Sequence, residues 1–238
     1  NLKLIFDAAH CAGTKIERIR HGSISNECQV GWDADVSIFS FQAVKNLPTA
    51  DSGMICFTSK DYDGLARKMS WLGIDKDTFS RTNSKGTYKW DYDVPTLGYK
   101  YHGNSIMASM GLVGLKYLDK DNERRREISK IYDKELKNIK GIKIISHNPS
   151  CTSSRHLYQI RVKNRDKTME YLNTHGVYPG VHYKDNTRYD LYKEQYGTCP
   201  NTHKISKELI TLPIHCNMTD DDVLYVTRIV KSSLKLWY

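Results

Sequence analysis

The strongest structural signal in this sequence is the run Val36-Ser37-Ile38-Phe39-Ser40-Phe41-Gln42-Ala43-Val44-Lys45. Its apolar first half predicts a buried strand over residues 36–41, and Lys45 follows where the strand gives way to a loop. Leu2 to Phe6 predicts another buried strand, whose carboxyl end delivers Asp7. Because ligands of open α/β sheets bind at the carboxyl ends of strands, Asp7 and Lys45 are candidates for one common site.

The rest of the chain alternates predicted strands and helices, which indicates an α/β fold. Residues 1–120 also hold a strand (53–58), a helix (60–72) closed by Gly73, and a small-residue helix (104–118) that we expect to be buried. A charged helix over residues 121–140 links this part to a second, smaller unit. The elements predicted there are strands 142–146, 157–163 and 177–183, a helix from the Asn164 cap to Gly176, and a final helix capped by Thr219. We therefore expect two domains, 1–120 and 121–238.

Composition excludes several classes of protein. The chain has 238 residues and a formal net charge of +9, with 39% hydrophobic residues, so it is a folded globular protein and not a disordered one. It contains no apolar run long enough for a membrane span and no signal peptide, so we expect no membrane association. Six cysteines without a CxxC pair favour reduced thiols and a cytoplasmic location. The sequence opens on Asn1, and we expect it to be a fragment.

An acid and an amine at strand ends suit pyridoxal 5'-phosphate (PLP). The cofactor needs a lysine to hold it as a Schiff base and a carboxylate to keep its pyridine nitrogen protonated, and Lys45 and Asp7 would provide these. Ser40 would provide a hydroxyl donor for the phosphate. By spacing alone the alternative remains open, because an Asp after a strand is often a turn former and a Lys is often solvated.

Several motifs, in order, resemble consecutive signatures of the DegT/StrS family of PLP-dependent nucleotide-sugar aminotransferases. They are Asp7-Ala8-Ala9-His10-Cys11-Ala12-Gly13, Phe39 to Asn46, Asp51-Ser52-Gly53-Met54-Ile55, Leu97-Gly98-Tyr99-Lys100-Tyr101, His156-Leu157-Tyr158, Gly180-Val181-His182-Tyr183 and Leu212-Pro213. The resemblance spans nearly the whole chain. It implies a fold-type-I PLP-dependent transferase with an incomplete large domain and a small C-terminal α/β domain, and a homodimer with shared active sites.

The resemblance also implies roles for single residues. Lys45 would be the Schiff-base lysine and proton shuttle, Asp7 the partner of the pyridine nitrogen and Ser40 a phosphate ligand. His10 would lie against the cofactor. The sugar dehydratases of the family have histidine at the lysine position, so Lys45 favours amino transfer from glutamate to a nucleotide-linked keto-deoxy sugar for polysaccharide biosynthesis, with C4 favoured over C3.

Two further positions carry implied roles. Lys100 would reach the cofactor phosphate of the neighbouring subunit, where the family commonly has Asn, and the alternative is an exposed lysine. His182 and Tyr183 would approach the sugar nucleotide, although a histidine at a strand end is often purely structural.

The sequence also departs from the family. Asp51-Ser52-Gly53 replaces a more usual Glu-Gly-Gly, and Gly103 and Gly114 weaken the small-residue helix. The long segment that precedes the Asp7 motif in the family is absent, so we expect the isolated chain to be inactive or nearly so. These departures are compatible with a non-catalytic remnant of the family.

Two other interpretations start from surface composition. Tyr88-Lys89-Trp90-Asp91-Tyr92 and Tyr99-Lys100-Tyr101-His102 interleave bases with aromatic residues, and Arg124 to Arg126 add charge, as in single-strand nucleic-acid binders. Asp91 and Asp93 interrupt this patch, so we expect no nucleic acid to bind. Possible metal ligands are Cys199, His203, His215 and Cys216, but their spacing fits no familiar zinc pattern and we expect no metal.

Overall fold

A computed structural model describes residues 2–20, 23–76 and 92–236. The chain divides into two compact units, Asn1–Leu118 and Asp119–Tyr238. In the first unit, the strands are β1 (Ile5–Asp7), β2 (Lys15–Arg20), β3 (Ser23–Gln29), β4 (Val36–Ser40) and β5 (Gly53–Phe57), and the helices are α1 (Lys60–Ser70) and α2 (Ser105–Leu115).

The sheet of the first unit is built around β4. This strand lies between β1 and β5, parallel to β1 and antiparallel to β5. Asp7 of β1 pairs with Ile38, and Ser40 of β4 pairs with Gly53. Because β1 and β4 are parallel, Asp7 and Ser40 end their strands at the same edge of the sheet. Strands β2 and β3 form a separate antiparallel hairpin.

Three expectations for the first unit are wrong. Strand β4, which was expected to be buried, has only Ser37 buried, and Ile38 is 42% exposed. The strand predicted over residues 2–6 is buried on neither side: Ile5 is 64% exposed. Helix α2 has no buried residue, and Ile106 is 75% exposed. Helix α2 approaches Leu47 closely at a glycine. A Cβ added to Gly114 would lie 2.8 Å from Leu47 Cδ1. Its large side chains are left to solvent.

The second unit follows directly. Helix α3 (Leu118–Leu136) leads into it, and the elements after it are β6 (Ile142–Ile144), β7 (Cys151–Thr152), β8 (Tyr158–Val162), α4 (Arg165–Thr174), two 3₁₀ turns (Asn186–Arg188 and Asp190–Gln195), α5 (Pro200–Ser206), β9 (Leu209–Leu212) and α6 (Asp220–Lys235). Strands β6, β8 and β9 form an antiparallel sheet with β8 in the middle.

The core of the second unit forms where this sheet meets the helices. Ile160 of β8 and Ile210 of β9 are paired across the sheet, and both are fully buried. The predicted apolar stripe of α3 is confirmed, because Ile128, Tyr132 and Leu136 are fully buried. One prediction fails: residues 177–183 form no strand and pair with the sheet only through a single bridge between Gly180 and Thr211.

Helix α6 begins as its sequence predicts. The side chain of Thr219 accepts a hydrogen bond from the Asp222 backbone N–H at 3.2 Å, and the Asp222 carboxylate accepts one from the Thr219 backbone N–H at 2.8 Å. This reciprocal pair is a capping box, which satisfies two backbone donors at the start of the helix.

Candidate active site

Asp7 stands at the point where β1 gives way to a tight turn. Its Oδ1 accepts a hydrogen bond from the Ala9 backbone N–H at 3.1 Å, and the Ala8 backbone N–H continues the strand pairing by donating to the Ile38 carbonyl at 2.8 Å. Ala8 is fully buried while Asp7 is exposed. The backbone of the carboxylate is therefore anchored, and the side chain is accessible to a ligand.

The loop after β4 is closed on itself by backbone hydrogen bonds. The Phe41 N–H donates to the Ser52 carbonyl, and the Thr49 N–H donates to the Phe41 carbonyl, both at 2.8 Å. The side chains of Thr49 and Ser52 are also hydrogen-bonded to each other. Ser52, which departs from the family's usual glycine, thus helps to close this loop.

Lys45 lies within that loop. Its backbone N–H donates to the Gln42 carbonyl at 2.8 Å, and the next two residues, Asn46 and Leu47, are 8% and 4% exposed. The Lys45 side chain is half-buried, and in the part of the chain that the structure describes its amine makes no ion pair or hydrogen bond. The structure fixes the backbone of this lysine and leaves its amine available.

Gly53 explains why the family motif ends in glycine here. A Cβ at this position would lie 2.8 Å from the carbonyl oxygen of Phe39, which is part of the strand backbone. A side chain would therefore push β5 away from β4 next to Ser40. His10 follows Asp7 in the same turn and is half-buried.

The structure places Lys100 on an aromatic ring that the sequence analysis did not single out. The Lys100 ammonium lies 5.3 Å from the ring centroid of Trp71, a cation–π distance. The ring of His102 meets Trp71 edge-on, with centroids 4.1 Å apart. Backbone hydrogen bonds from Tyr99 to Met69 at 2.7 Å and from Tyr101 to Ser70 at 2.9 Å tie this segment to the end of α1. Trp71 directly follows helix α1 and belongs to no recognised sequence motif, so the sequence alone did not identify it.

His182 and Tyr183 lie in the second unit. Their rings meet edge-on with centroids 5.0 Å apart. The Nδ1 of His182 is 2.9 Å from Thr211 Oγ1, and Gln159 Nε2 donates to the His182 carbonyl. The Tyr183 side chain is 56% exposed. The histidine is thus held by the sheet, and the tyrosine faces outward.

Two of the candidate metal ligands, His203 and Cys216, are hydrogen-bonded to other groups. His203 Nδ1 lies 3.2 Å from the buried carboxylate of Asp185, and its Nε2 lies 3.2 Å from the Tyr196 hydroxyl. The thiol of Cys216 donates to the Asp121 carbonyl. Across residues 2–20, 23–76 and 92–236, no three potential ligand side chains come together to hold a metal ion.

The proposed nucleic-acid patch is only partly visible. Residues 88–91 lie outside the described residues. Arg124 pairs with Asp220 at 2.8 Å, and Arg126 pairs with Glu123 at 2.6 Å. These arginine charges are therefore paired within the second unit.

None of the helices described is both long and apolar enough to cross a bilayer.

Comparison with known proteins identifies the family. Residues 1–231 match the model of the DegT/DnrJ/EryC1/StrS aminotransferase family. The chain belongs to this family. It is 29% identical to the UDP-4-amino-4,6-dideoxy-N-acetyl-beta-L-altrosamine transaminase of Campylobacter jejuni, over 99% of this chain and 59% of that protein.

Solved structures of DegT/DnrJ/EryC1/StrS aminotransferases share the fold. The aminotransferase TlmJ from Streptoalloteichus hindustanus superposes with a TM-score of 0.84 at 28% identity, over 100% of this chain and 60% of TlmJ. The sugar aminotransferase Spr1654 from Streptococcus pneumoniae in its PMP form gives 0.81 at 29% identity, over 98% and 59%. The fold is that of the fold-type-I PLP-dependent aminotransferases, as the sequence predicted. The chain spans about three fifths of the length of these relatives.

PLP is the cofactor of this family, and the residues present here suit it. Spr1654 has been solved in both PLP and PMP forms. In this chain the amine of Lys45, which no described residue pairs with, the accessible carboxylate of Asp7 and the hydroxyl of Ser40 follow or end two adjacent parallel strands at one edge. These are the amine, anion and phosphate-binding donors that the cofactor requires.

Proposed function

We propose that this chain is the Lys45-bearing part of a PLP-dependent aminotransferase that transfers the amino group of glutamate to a nucleotide-linked keto-deoxy sugar. The observation that carries the proposal is that Asp7 and Ser40 end adjacent parallel strands at one sheet edge, followed by a loop in which the Lys45 amine makes no ion pair or hydrogen bond with any described residue. Amination at C4 is favoured over C3, in keeping with the 4-amino sugar in the name of the Campylobacter relative.

The cofactor and the residues of this chain would carry out different parts of the reaction. When bound, PLP supplies an electron-accepting ring that stabilises negative charge at the carbon next to the transferred nitrogen. Lys45 would hold the cofactor covalently through its amine and, once released, would move a proton at the reacting carbon as general base and general acid. Asp7 would keep the proton on the ring nitrogen, Ser40 would donate to the phosphate, and His10 would lie against the cofactor.

In this proposal, Trp71 orients the Lys100 side chain. We assign the Lys100 ammonium to the cofactor phosphate of a partner subunit. Trp71 lies under it at 5.3 Å, so the indole face restricts the directions that the flexible lysine can take. Substrate contact is assigned to His182 and Tyr183, of which the tyrosine is 56% exposed.

The proposal includes a homodimer and a reducing compartment. Helix α2 is apolar and has no buried residue, with Leu112 66% exposed, which supports a second copy as its cover. All six cysteines are free thiols, which is typical of cytoplasmic proteins.

The decisive test uses absorbance and activity together. In the longest natural polypeptide that contains this sequence, added PLP should give the visible band of a lysine-bound cofactor. Lys45→Ala should abolish that band and lower amino transfer by at least about 10³-fold, because covalent attachment and proton transfer are both lost.

The control is Lys60→Ala, which removes an exposed lysine at the start of α1 and should change neither the band nor the rate. A band that survives Lys45→Ala would remove Lys45 from the mechanism. A wild-type protein that binds no PLP would instead support the non-catalytic remnant.

A further inference from the structure

The second unit contains a cavity that the proposed aminotransferase chemistry does not use. Its volume is about 520 Å³, within the range of small-molecule sites. It is formed by the end of α3, by β6 and the segment after it, and by the loop before β8. Its polar lining consists of Asp133, Lys137, Lys143, Ser146, His147 and Arg155.

Arg155 is the unusual member of this lining. Its backbone has φ +51°, a left-handed conformation that is uncommon for a residue with a side chain, and its N–H donates to Ser153 Oγ at 3.1 Å. The Nη1 of its guanidinium is buried and has no hydrogen-bond partner in the described part of the chain. Buried donors are nearly always paired, so the Arg155 guanidinium keeps hydrogen-bonding capacity that the described residues do not use.

Asp133, the carboxylate in the lining, is engaged elsewhere. Its Oδ1 accepts a hydrogen bond from the Tyr158 hydroxyl at 2.7 Å, and among the described residues the Arg155 Nη1 has no hydrogen-bond partner. Partial burial of His147, together with the positive charge of Arg155, lowers the pKa of that histidine, while Asp133 acts in the opposite direction. At neutral pH the cavity therefore carries three cations, Lys137, Lys143 and Arg155, against one carboxylate.

We propose that this cavity binds the phosphoryl group of a small phosphorylated molecule, with the Arg155 guanidinium as its anchor and with Lys137 and Lys143 adding charge. A guanidinium presents a planar set of N–H donors that matches phosphate oxygens, and Arg155 lines the cavity. The volume leaves room for more than one phosphate group. All of the lining residues belong to the second unit, so the proposal stands independently of the assignment of Lys45.

Titration calorimetry in a phosphate-free chloride buffer tests this proposal on the full chain. The probes are inorganic phosphate and uridine diphosphate. Arg155→Gln should weaken binding at least about tenfold, because a charge-assisted hydrogen bond is lost. Asp133→Asn should tighten binding several-fold, because a nearby negative charge is removed while an oxygen remains for Tyr158. Lys140→Gln, an exposed cation outside the lining, should leave binding unchanged.

The two probes distinguish the source of the phosphoryl group. Equal affinity with equal dependence on Arg155 identifies free phosphate, and tighter binding of uridine diphosphate with the same dependence identifies a nucleotide. Ser40→Ala separates this cavity from the proposed cofactor-phosphate position. Binding that is lost in Ser40→Ala but kept in Arg155→Gln would overturn the proposal, as would binding that no Arg155 substitution changes.

A folding control keeps the test decisive. Circular dichroism should show that Arg155→Gln retains its structure. If it does not, Lys137→Gln and Asp133→Asn replace it, because these two should change phosphate affinity in opposite directions. The same direction in both would overturn the proposal.

Discussion

Tyr132 and Tyr158 are the largest fully buried side chains of the second unit. Their ring centroids are 4.7 Å apart, and each hydroxyl has its own acceptor. Tyr132 donates to the Pro213 carbonyl at 2.7 Å, and Tyr158 donates to Asp133 Oδ1 at 2.7 Å. Burial raises the pKa of both phenols well above the ordinary value. The core therefore accepts these tyrosines only in their neutral, hydrogen-bonded form.

Tyr132→Phe should test this at the residue scale. Removing the hydroxyl leaves the Pro213 carbonyl without its partner, so the free energy of unfolding should fall by about 1–2 kcal/mol in urea titrations at neutral pH. The raised pKa also gives a sign for the pH dependence. Wild-type stability should fall above about pH 10, where the unfolded phenol ionises and the folded one does not.

The loss of stability at alkaline pH tests the role of Tyr132 more specifically than the stability at neutral pH does. Tyr132→Phe should flatten the decline of stability between about pH 10 and 11, since a phenol whose pKa is raised by burial is gone. An equally steep decline in the variant would show that the buried phenol is not responsible.

The site residues divide by how far sequence alone could find them. Asp7, Ser40 and Lys45 are identifiable because polar residues that follow apolar strands meet at a sheet edge. Trp71 and Arg155 are not, because each acts through tertiary contacts. A cation–π partner and an unpaired buried guanidinium have no sequence period or motif.

At the scale of elements, glycines in two helices should respond differently to alanine. Gly64 lies inside α1, and a Cβ there would meet nothing within 4 Å. Gly64→Ala should therefore raise the free energy of unfolding by about 0.5–1 kcal/mol through helix propensity. Gly114 of α2 is the comparison, because its added Cβ would meet Leu47 Cδ1 at 2.8 Å.

Gly114→Ala should gain nothing or lose stability. Leu47 is 4% exposed, so its side chain has little space to move, and overpacking offsets the gain in helix propensity. The midpoints of urea unfolding of the two variants, each compared with the wild-type protein, measure these changes in stability. Equal stabilisation by both would show that α2 does not approach the loop that carries Lys45 as closely as described.

The elements themselves were predictable where the local signal was strong. The capping box at Thr219 and the apolar stripe of α3 follow from sequence spacing alone. The hairpin of β2 and β3 was missed because charged residues interrupt its apolar positions. The strand predicted over residues 177–183 has a suitable composition, but only Gly180 pairs with the neighbouring strand. Strand formation depends on a partner, which sequence does not show.

At the scale of the whole molecule, the two units differ in how they bury apolar side chains. The second unit has a continuous core that joins β8, β9 and three helices. In the first unit, the buried hydrophobic residues that the structure describes are Ala8, Val30, Ala34 and Leu47, while large side chains such as Ile106 and Leu112 remain exposed. An apolar patch of this kind is typical of a protein–protein interface.

We therefore expect self-association through α2. Sedimentation velocity over a range of concentrations should show a dimer, and Leu112→Glu should shift the population toward monomer at least tenfold, because a charge would be buried in the interface. Leu224→Glu is the control: Leu224 is 43% exposed on α6 of the second unit and should have no effect. A monomer at every concentration, or equal effects of both variants, would contradict this expectation.

The backbone bridge between Gly180 and Thr211 has a consequence for evolution. Two backbone hydrogen bonds at this one residue pair, 2.9 and 2.8 Å long, join the segment to β9. The register of β8 and β9 is set by their own pairing and not by this bridge. Changes of sequence or length between Gly180 and β9 can therefore alter what this face presents to solvent, while the pairing of the two strands stays the same.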